Sequence, residues 1–185
     1  MKKILLLMIL VCLAQTAAAL TVKGITIEPT AKIGNEILHL NGYGLRTKYL
    51  IKIYVGSFYT ASPVESTQEV LSLPGGKLIR MNFLYSRVER LNLLGLFAEG
   101  FYHNSPHLSG SPEEKAFMSW FKGDFIEGDV VDLAIDKDGT VSAFQNYTLL
   151  GSLHSPELAK GILLIYLGDD PASEKLKEGL LQGHA

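Results

Sequence analysis

The sequence predicts an α+β domain organised around a large antiparallel sheet, and three observations carry that reading. Segments rich in Ile, Val, Tyr and Phe fill the first third of the chain and return from Asp129 onward. Strong helix-start signatures stand at Ser111-Pro112-Glu113-Glu114 and Ser155-Pro156-Glu157. The helical segments also cluster instead of alternating with strands one by one, which disfavours a doubly wound parallel fold.

In chain order, the first element is not part of that domain. Met1-Lys2-Lys3, the apolar stretch Ile4 to Ala14 and the small residues Ala17-Ala18-Ala19 make the three-part layout of an export signal. Gln15 and Thr16 interrupt the apolar run short of the roughly 20 residues a membrane span needs. Cleavage is therefore expected after Ala19, with residues 1–19 as signal peptide and 20–185 as one domain that has no integral membrane span. Such a leader places the protein outside the cytoplasm, in a bacterial periplasm. Cys12 is the only cysteine and lies within the apolar run, behind Leu10 and Val11, a poor lipidation context. Its removal leaves neither disulfide nor thiolate chemistry.

Losing Lys2 and Lys3 takes the balance from 17 basic against 19 acidic side chains to 15 against 19, a charge of −4. No basic run remains, so nucleic acid is not an expected partner. A chain of this size buries roughly 70% of its unfolded surface and needs only one core.

Strands are expected at Val22 to Glu28, Glu36 to Leu40 and, as one long run, Tyr49 to Tyr59. A short helix over Glu65 to Leu73 stops at Pro74-Gly75-Gly76, and Lys77 to Tyr85 returns to strand, its Arg80 and Asn82 making one face the more polar. Val88 to Tyr102 reads as a largely buried helix, with Leu93, Leu94, Phe97 and Phe101 on a stripe that Leu91 and Leu96 widen. The capped helix from Ser111 runs to about Phe121. Alternation from Asp129 to Asp136, the turn Lys137-Asp138-Gly139 and the strand Val141 to Tyr147 make a hairpin. Leu158 to Leu167 forms the next helix and stops at Gly168, and Asp170-Pro171 begins a last one to about Leu181.

Common catalytic signatures are absent: no nucleophile elbow, phosphate loop, dinucleotide fingerprint or zinc-protease motif occurs. His103 and His107 are four apart, but Pro106 lies between them, and two histidines fall short of a metal site. Asp136-Lys137-Asp138-Gly139 lacks the further ligands of a calcium loop and reads as a turn. No metal and no cofactor is expected.

The informative stretch is Asn41 to Tyr59. Counting by twos places Arg46, Lys52 and Tyr54 on one strand face and Tyr49, Ile51, Ile53, Val55, Ser57 and Tyr59 on a core face. A guanidinium fork beside a phenol suits a carboxylate, a phenolate or a polarised carbonyl. The same spacing equally fits solvated strand charges beside an ordinary strand aromatic.

These residues bear a resemblance. Leu40-Asn41-Gly42-Tyr43-Gly44-Leu45-Arg46, Lys52-Ile53-Tyr54-Val55-Gly56-Ser57-Phe58-Tyr59, Lys77-Leu78-Ile79-Arg80-Met81 and Leu167-Gly168 with Pro171 and Leu176-Lys177 resemble the chalcone isomerase-like family over nearly the whole mature chain. The resemblance implies an open-faced β-sandwich, a large antiparallel sheet with a layer of helices on one face and a ligand cleft between them. It implies that the arginine at Arg46 holds a substrate oxygen in the plant isomerases and a carboxylate in fatty-acid-binding relatives. It also places Tyr54 where the isomerases carry a catalytic threonine, and Asn92 and Glu99 where they carry a tyrosine and an asparagine.

The expectation is a non-catalytic binding protein for a small amphipathic or acidic ligand, fatty-acid-like or phenolic, with Arg46, Tyr54, Asn92 and Glu99 around it. One alternative is an isomerase or intramolecular lyase with Arg46 as its electrophile. Another is a protein with a closed cleft that acts through an unspecified protein partner.

Overall fold

Two-residue turns decide how the first half of the chain folds. In the computed structural model, which describes residues 20–183, Lys23-Gly24 breaks the first expected strand into β1 (Leu20–Val22) and β2 (Ile25–Ile27). The short β3 (Thr30–Ile33) then leads into β4 (Glu36–Lys48), which runs eight residues past Leu40, where the second strand was expected to end. Tyr49 and Leu50 both take positive φ, at 48° and 68°, and reverse the chain into β5 (Ile51–Thr60). The expected single strand from Tyr49 is therefore the second arm of a hairpin.

The remaining elements are α1 (Thr67–Ser72), β6 (Lys77–Phe83), β7 (Arg87–Val88), α2 (Arg90–Asn104), α3 (Pro112–Trp120) and β8 (Phe125–Ile126). They are followed by β9 (Val130–Ile135), β10 (Thr140–Gln145), β11 (Thr148–His154), α4 (Pro156–Leu167) and α5 (Glu174–Leu180). Strand β11 was not expected; it follows a second turn of positive φ, Asn146-Tyr147. The last helix begins after Ser173, whose hydroxyl accepts from Leu176 N–H, and not at Pro171.

The expected caps form. Ser111 accepts from the Glu114 N–H, Ser155 from the Leu158 N–H, and Pro112 and Pro156 occupy the first helical turn where no N–H is required. Glu114 reaches back to the Gly110 N–H, one residue before the cap itself. At the β9–β10 turn, Asp138 accepts from Thr140 N–H at 2.9 Å and Gly139 supplies the positive φ.

Seven strands form one antiparallel sheet in the order β11-β10-β9-β6-β5-β4-β3. One face carries the main core, in which Phe58, Ile79, Met81, Phe83 and Leu133 meet the apolar sides of the helices. Phe97, Phe117, Phe121 and Phe125 are fully buried there and packed ring against ring at 5.1–6.2 Å. Each such ring is worth about 1.5–3 kcal/mol of burial as an upper estimate. The opposite face holds only a small cluster around Leu38, Tyr59, Leu78 and Ala134. On this face Arg80 makes a bidentate pair with Asp132, both bonds 2.7 Å. Both faces of β5 are thus buried, where only one was expected to be core.

The Asn41-Gly42-Tyr43-Gly44 segment is a docking groove for α5. A methyl group on Gly42 would overlap the Gly179 carbonyl and stand 2.6 Å from that of Leu180, and one on Gly44 or Gly56 would press on Leu176. Asn41 is 1% exposed; it donates to Val64 O at 2.9 Å and Leu180 O at 2.8 Å and accepts from Val64 N–H at 2.8 Å. One side chain therefore ties the α5 end and the loop before α1 to the sheet.

Candidate functional site

Arg46 and Tyr54 occupy different strands. They are direct cross-strand partners of β4 and β5, so they project from one face as a pair on a single strand would; a register shift follows immediately, between Arg46 and Thr47. The guanidinium carbon lies 5.8 Å from the centre of the Tyr54 ring. Arg46 is half-buried and Tyr54 is 1% exposed.

Two polar atoms of this pair are buried without a hydrogen-bond partner, Arg46 Nε and the Tyr54 hydroxyl. Tyr166, on α4, lies beside Tyr54, but its hydroxyl donates to Met81 Sδ at 3.2 Å. Burial pushes the Tyr54 phenol up to about 12, against the opposing Arg46 charge and an approach of the Tyr166 hydroxyl that falls outside hydrogen-bond geometry, that hydroxyl being directed at Met81. Tyr166 is held well above the ordinary tyrosine range, first by burial. At neutral pH both phenols are uncharged donors, and neither serves as a base.

A cavity of about 320 Å³ opens between this pair and α2. Arg46, Tyr54, Phe83, Leu93 and Leu96 line it, and Asn92 and Glu99 stand on its walls from the exposed side of α2. The structure therefore brings all four candidate residues to one cavity, two on its floor and two at its rim. Its volume passes the lower bound of about 300 Å³ for small-molecule sites, so the cleft is open. Leu91, expected to widen the buried stripe, is instead 69% exposed at the mouth.

Lys48, Arg87 and Arg46 give the walls three cations against the one carboxylate of Glu99. Arg87 is neutralised by Asp124 at 2.8 Å, whose other oxygen accepts from the Arg90 N–H at 2.8 Å and substitutes for the missing side-chain cap of α2. Arg46 enters no ion pair among the described residues. Sequence reasoning missed Tyr166, Phe83 and Lys48; a tyrosine within the otherwise apolar Leu163-Leu164-Ile165-Tyr166-Leu167 was the one available signal of a buried hydroxyl.

His103 and His107 do not converge: the first meets Asp170 at 3.4 Å and the second Glu157 at 3.2 Å. No cluster of three or more metal-ligating side chains occurs among the described residues. The arrangement supplies donors toward an anionic or polarised oxygen, with apolar walls behind them.

A family model described as chalcone isomerase-like matches residues 19–182. Among solved structures, the fold is similar to that of a fatty-acid binding protein of Arabidopsis thaliana, with a TM-score of 0.71 at 20% sequence identity over 89% of this chain and 96% of that one. No curated protein sequence matches significantly.

Proposed function

We propose, from the premise that this chain belongs to the chalcone isomerase-like family, that it is a non-catalytic binding protein for a small amphipathic acid. The observation behind this reading is the pair of orphaned donors, Arg46 Nε and the Tyr54 hydroxyl, beside an open cavity of about 320 Å³. Leaving a buried donor unpaired costs about 1–3 kcal/mol, a cost that an arriving carboxylate oxygen would remove. Asn92 and Glu99 stand beside the acid at the rim, and Phe83, Leu93 and Leu96 take its apolar part. The similar Arabidopsis structure is that of a fatty-acid binding protein.

Catalysis of the isomerase type asks for several donors aimed at charge that appears only in the transition state, and loss of each commonly costs 100-fold or more. The floor of this cavity offers one guanidinium and one phenol. We further propose that Met1 to Ala19 directs export to a bacterial periplasm; those residues lie outside the described part of the structure, and N-terminal sequencing that finds Leu20 first would support it.

Calorimetry with medium-chain fatty acids tests the function. Arg46→Ala should weaken binding about 10- to 150-fold, the worth of a charge-assisted bond. The purified protein should show no cyclisation of a chalcone. An Arg46-dependent isomerase rate would replace this reading with an enzyme that uses the guanidinium as electrophile.

A further inference from the structure

The β4–β5 hairpin outruns its neighbours. Pairing with β3 ends at His39, and pairing with β6 begins only at Tyr54, so the arms from Thr47 to Lys52 pair only with each other. At the tip Tyr49 is 89% exposed, Leu50 95% and Ile51 42%. Both turn residues have positive φ, the geometry for which hairpins favour Asn-Gly because bulky side chains are disfavoured there. The similar turn at Asn146-Tyr147 has a local reason, since the Asn146 side chain donates to Asp129 at 2.7 Å and accepts from Val130 N–H at 2.9 Å. No side-chain hydrogen bond holds Tyr49-Leu50 among the described residues.

The surroundings of the tip are basic and adjoin the cavity. Lys48 and Lys52 flank it, and neither enters an ion pair among the described residues. Lys48 also lines the cavity mouth, together with Leu91, 69% exposed, and Tyr85, 40% exposed. Glu99 is the one carboxylate on that wall.

We propose that the β4–β5 tip is a membrane-contact finger, which seats Tyr49 and Leu50 at the boundary of an anionic phospholipid surface and Lys48 and Lys52 among its headgroups. A two-residue tip on a thin hairpin offers far less area than the roughly 1,200 Å² of a stable protein interface. It suits interfacial insertion, where tyrosine sits at headgroup level, leucine enters the acyl boundary and lysine stems bury while their ammonium groups meet phosphate. The lysines are positive on a chain whose side chains sum to −2, and to −4 without Lys2 and Lys3, which orients the approach. The contact stands without the ligand reading; if that reading holds, the mouth of the cavity faces the phase in which amphipathic acids dissolve.

Cosedimentation of the protein recovered after export, with phosphatidylglycerol–phosphatidylcholine vesicles and with phosphatidylcholine alone, tests this. The protein should partition onto the anionic vesicles and leave them at high salt. Tyr49→Asn with Leu50→Gly should cut partitioning about tenfold or more while the melting temperature holds or rises, because the turn becomes a favoured one. Lys48→Ala and Lys52→Ala should each weaken it about fivefold. A Leu50→Trp variant should shift its emission to the blue on the same vesicles. Equal partitioning of the Tyr49→Asn/Leu50→Gly variant, or none by the parent, overturns the proposal. So does a parent dimer that this double change converts to a monomer without any vesicle binding, which would make the tip a subunit contact. Acid binding measured without vesicles reports on the cavity separately.

Discussion

Arg46 and Tyr54 face each other across neighbouring strands, 5.8 Å from guanidinium carbon to ring centre, and each keeps one buried polar atom unpaired. Tyr54→Phe removes one of those atoms without a change of shape. Stability should therefore hold or rise by about 1 kcal/mol, while affinity for an acid falls about 2- to 10-fold, the worth of one neutral hydrogen bond. Urea titration and calorimetry on the same variant check both halves; a variant less stable by several kcal/mol would show that the hydroxyl has a structural partner.

Alkali should unfold the protein through its buried phenols. Tyr54 ionises at about 12 when folded, against 10 in an unfolded chain, and Tyr166 and Tyr59 are raised as well, each first by burial. Because the folded values are the higher, this stability is fully present below pH 10 and is lost as pH rises through 12. Tyr54 alone accounts for about 2–3 kcal/mol of that loss. Denaturant titrations between pH 8 and 12 should show the decline, and Tyr54→Phe should reduce it; a flat profile would contradict burial of these hydroxyls.

Gly42→Ala should expel α5. Its new methyl would meet two carbonyl groups at the end of that helix, backbone atoms that cannot swing away. A loss of about 2–4 kcal/mol is expected, in the range of severe overpacking, with faster amide exchange through Glu174–Leu180. Unchanged exchange in α5 would show that the strand yields instead.

On the opposite face, Asp132→Ala strands the Arg80 guanidinium, whose side chain is 16% exposed, and should cost about 3–5 kcal/mol. Replacing both partners with Met and Leu should restore most of it. Thermal melts of the two variants decide the matter, since an equal loss in both would mean that packing, not the stranded charge, dominates.

Where the chain turns on residues with recognised turn chemistry, the sequence was legible. Asp138-Gly139, Ser111-Pro112 and Ser155-Pro156 mark their boundaries because capping hydroxyls, a fixed proline φ and glycine freedom act locally, whereas Gly168 stops α4 at φ −71°, where a side chain would meet Asn104 and the Leu164 carbonyl. Tyr49-Leu50 and Asn146-Tyr147 carry no glycine, so their reversals were invisible: one merged β4's end with β5, and the other concealed β11. The Arg46–Tyr54 relationship survived this error because residues opposite each other across a hairpin share a face, as do residues an even number apart on one strand. Gly42 and Gly44 stood in the sequence only as part of the family resemblance; tertiary contact reveals them as the bed of α5. Tyr166 was lost in an apolar helix whose composition says buried without saying against what.

The sheet order sets the course of folding. Strands β3 to β6 are one local meander and β9 to β11 another, and a single pairing, β6 with β9, joins them across residues 84–129. That intervening segment holds α3 and also α2, the roof of the cavity. The hairpin bearing Arg46 and Tyr54 can zip early from neighbours in sequence, whereas closing β6 on β9 must first overcome the loop entropy of the very segment that roofs the cavity. Closing β6 on β9 is then also the event that completes the cavity, and before it the paired residues would stand on an open ledge with nothing above them.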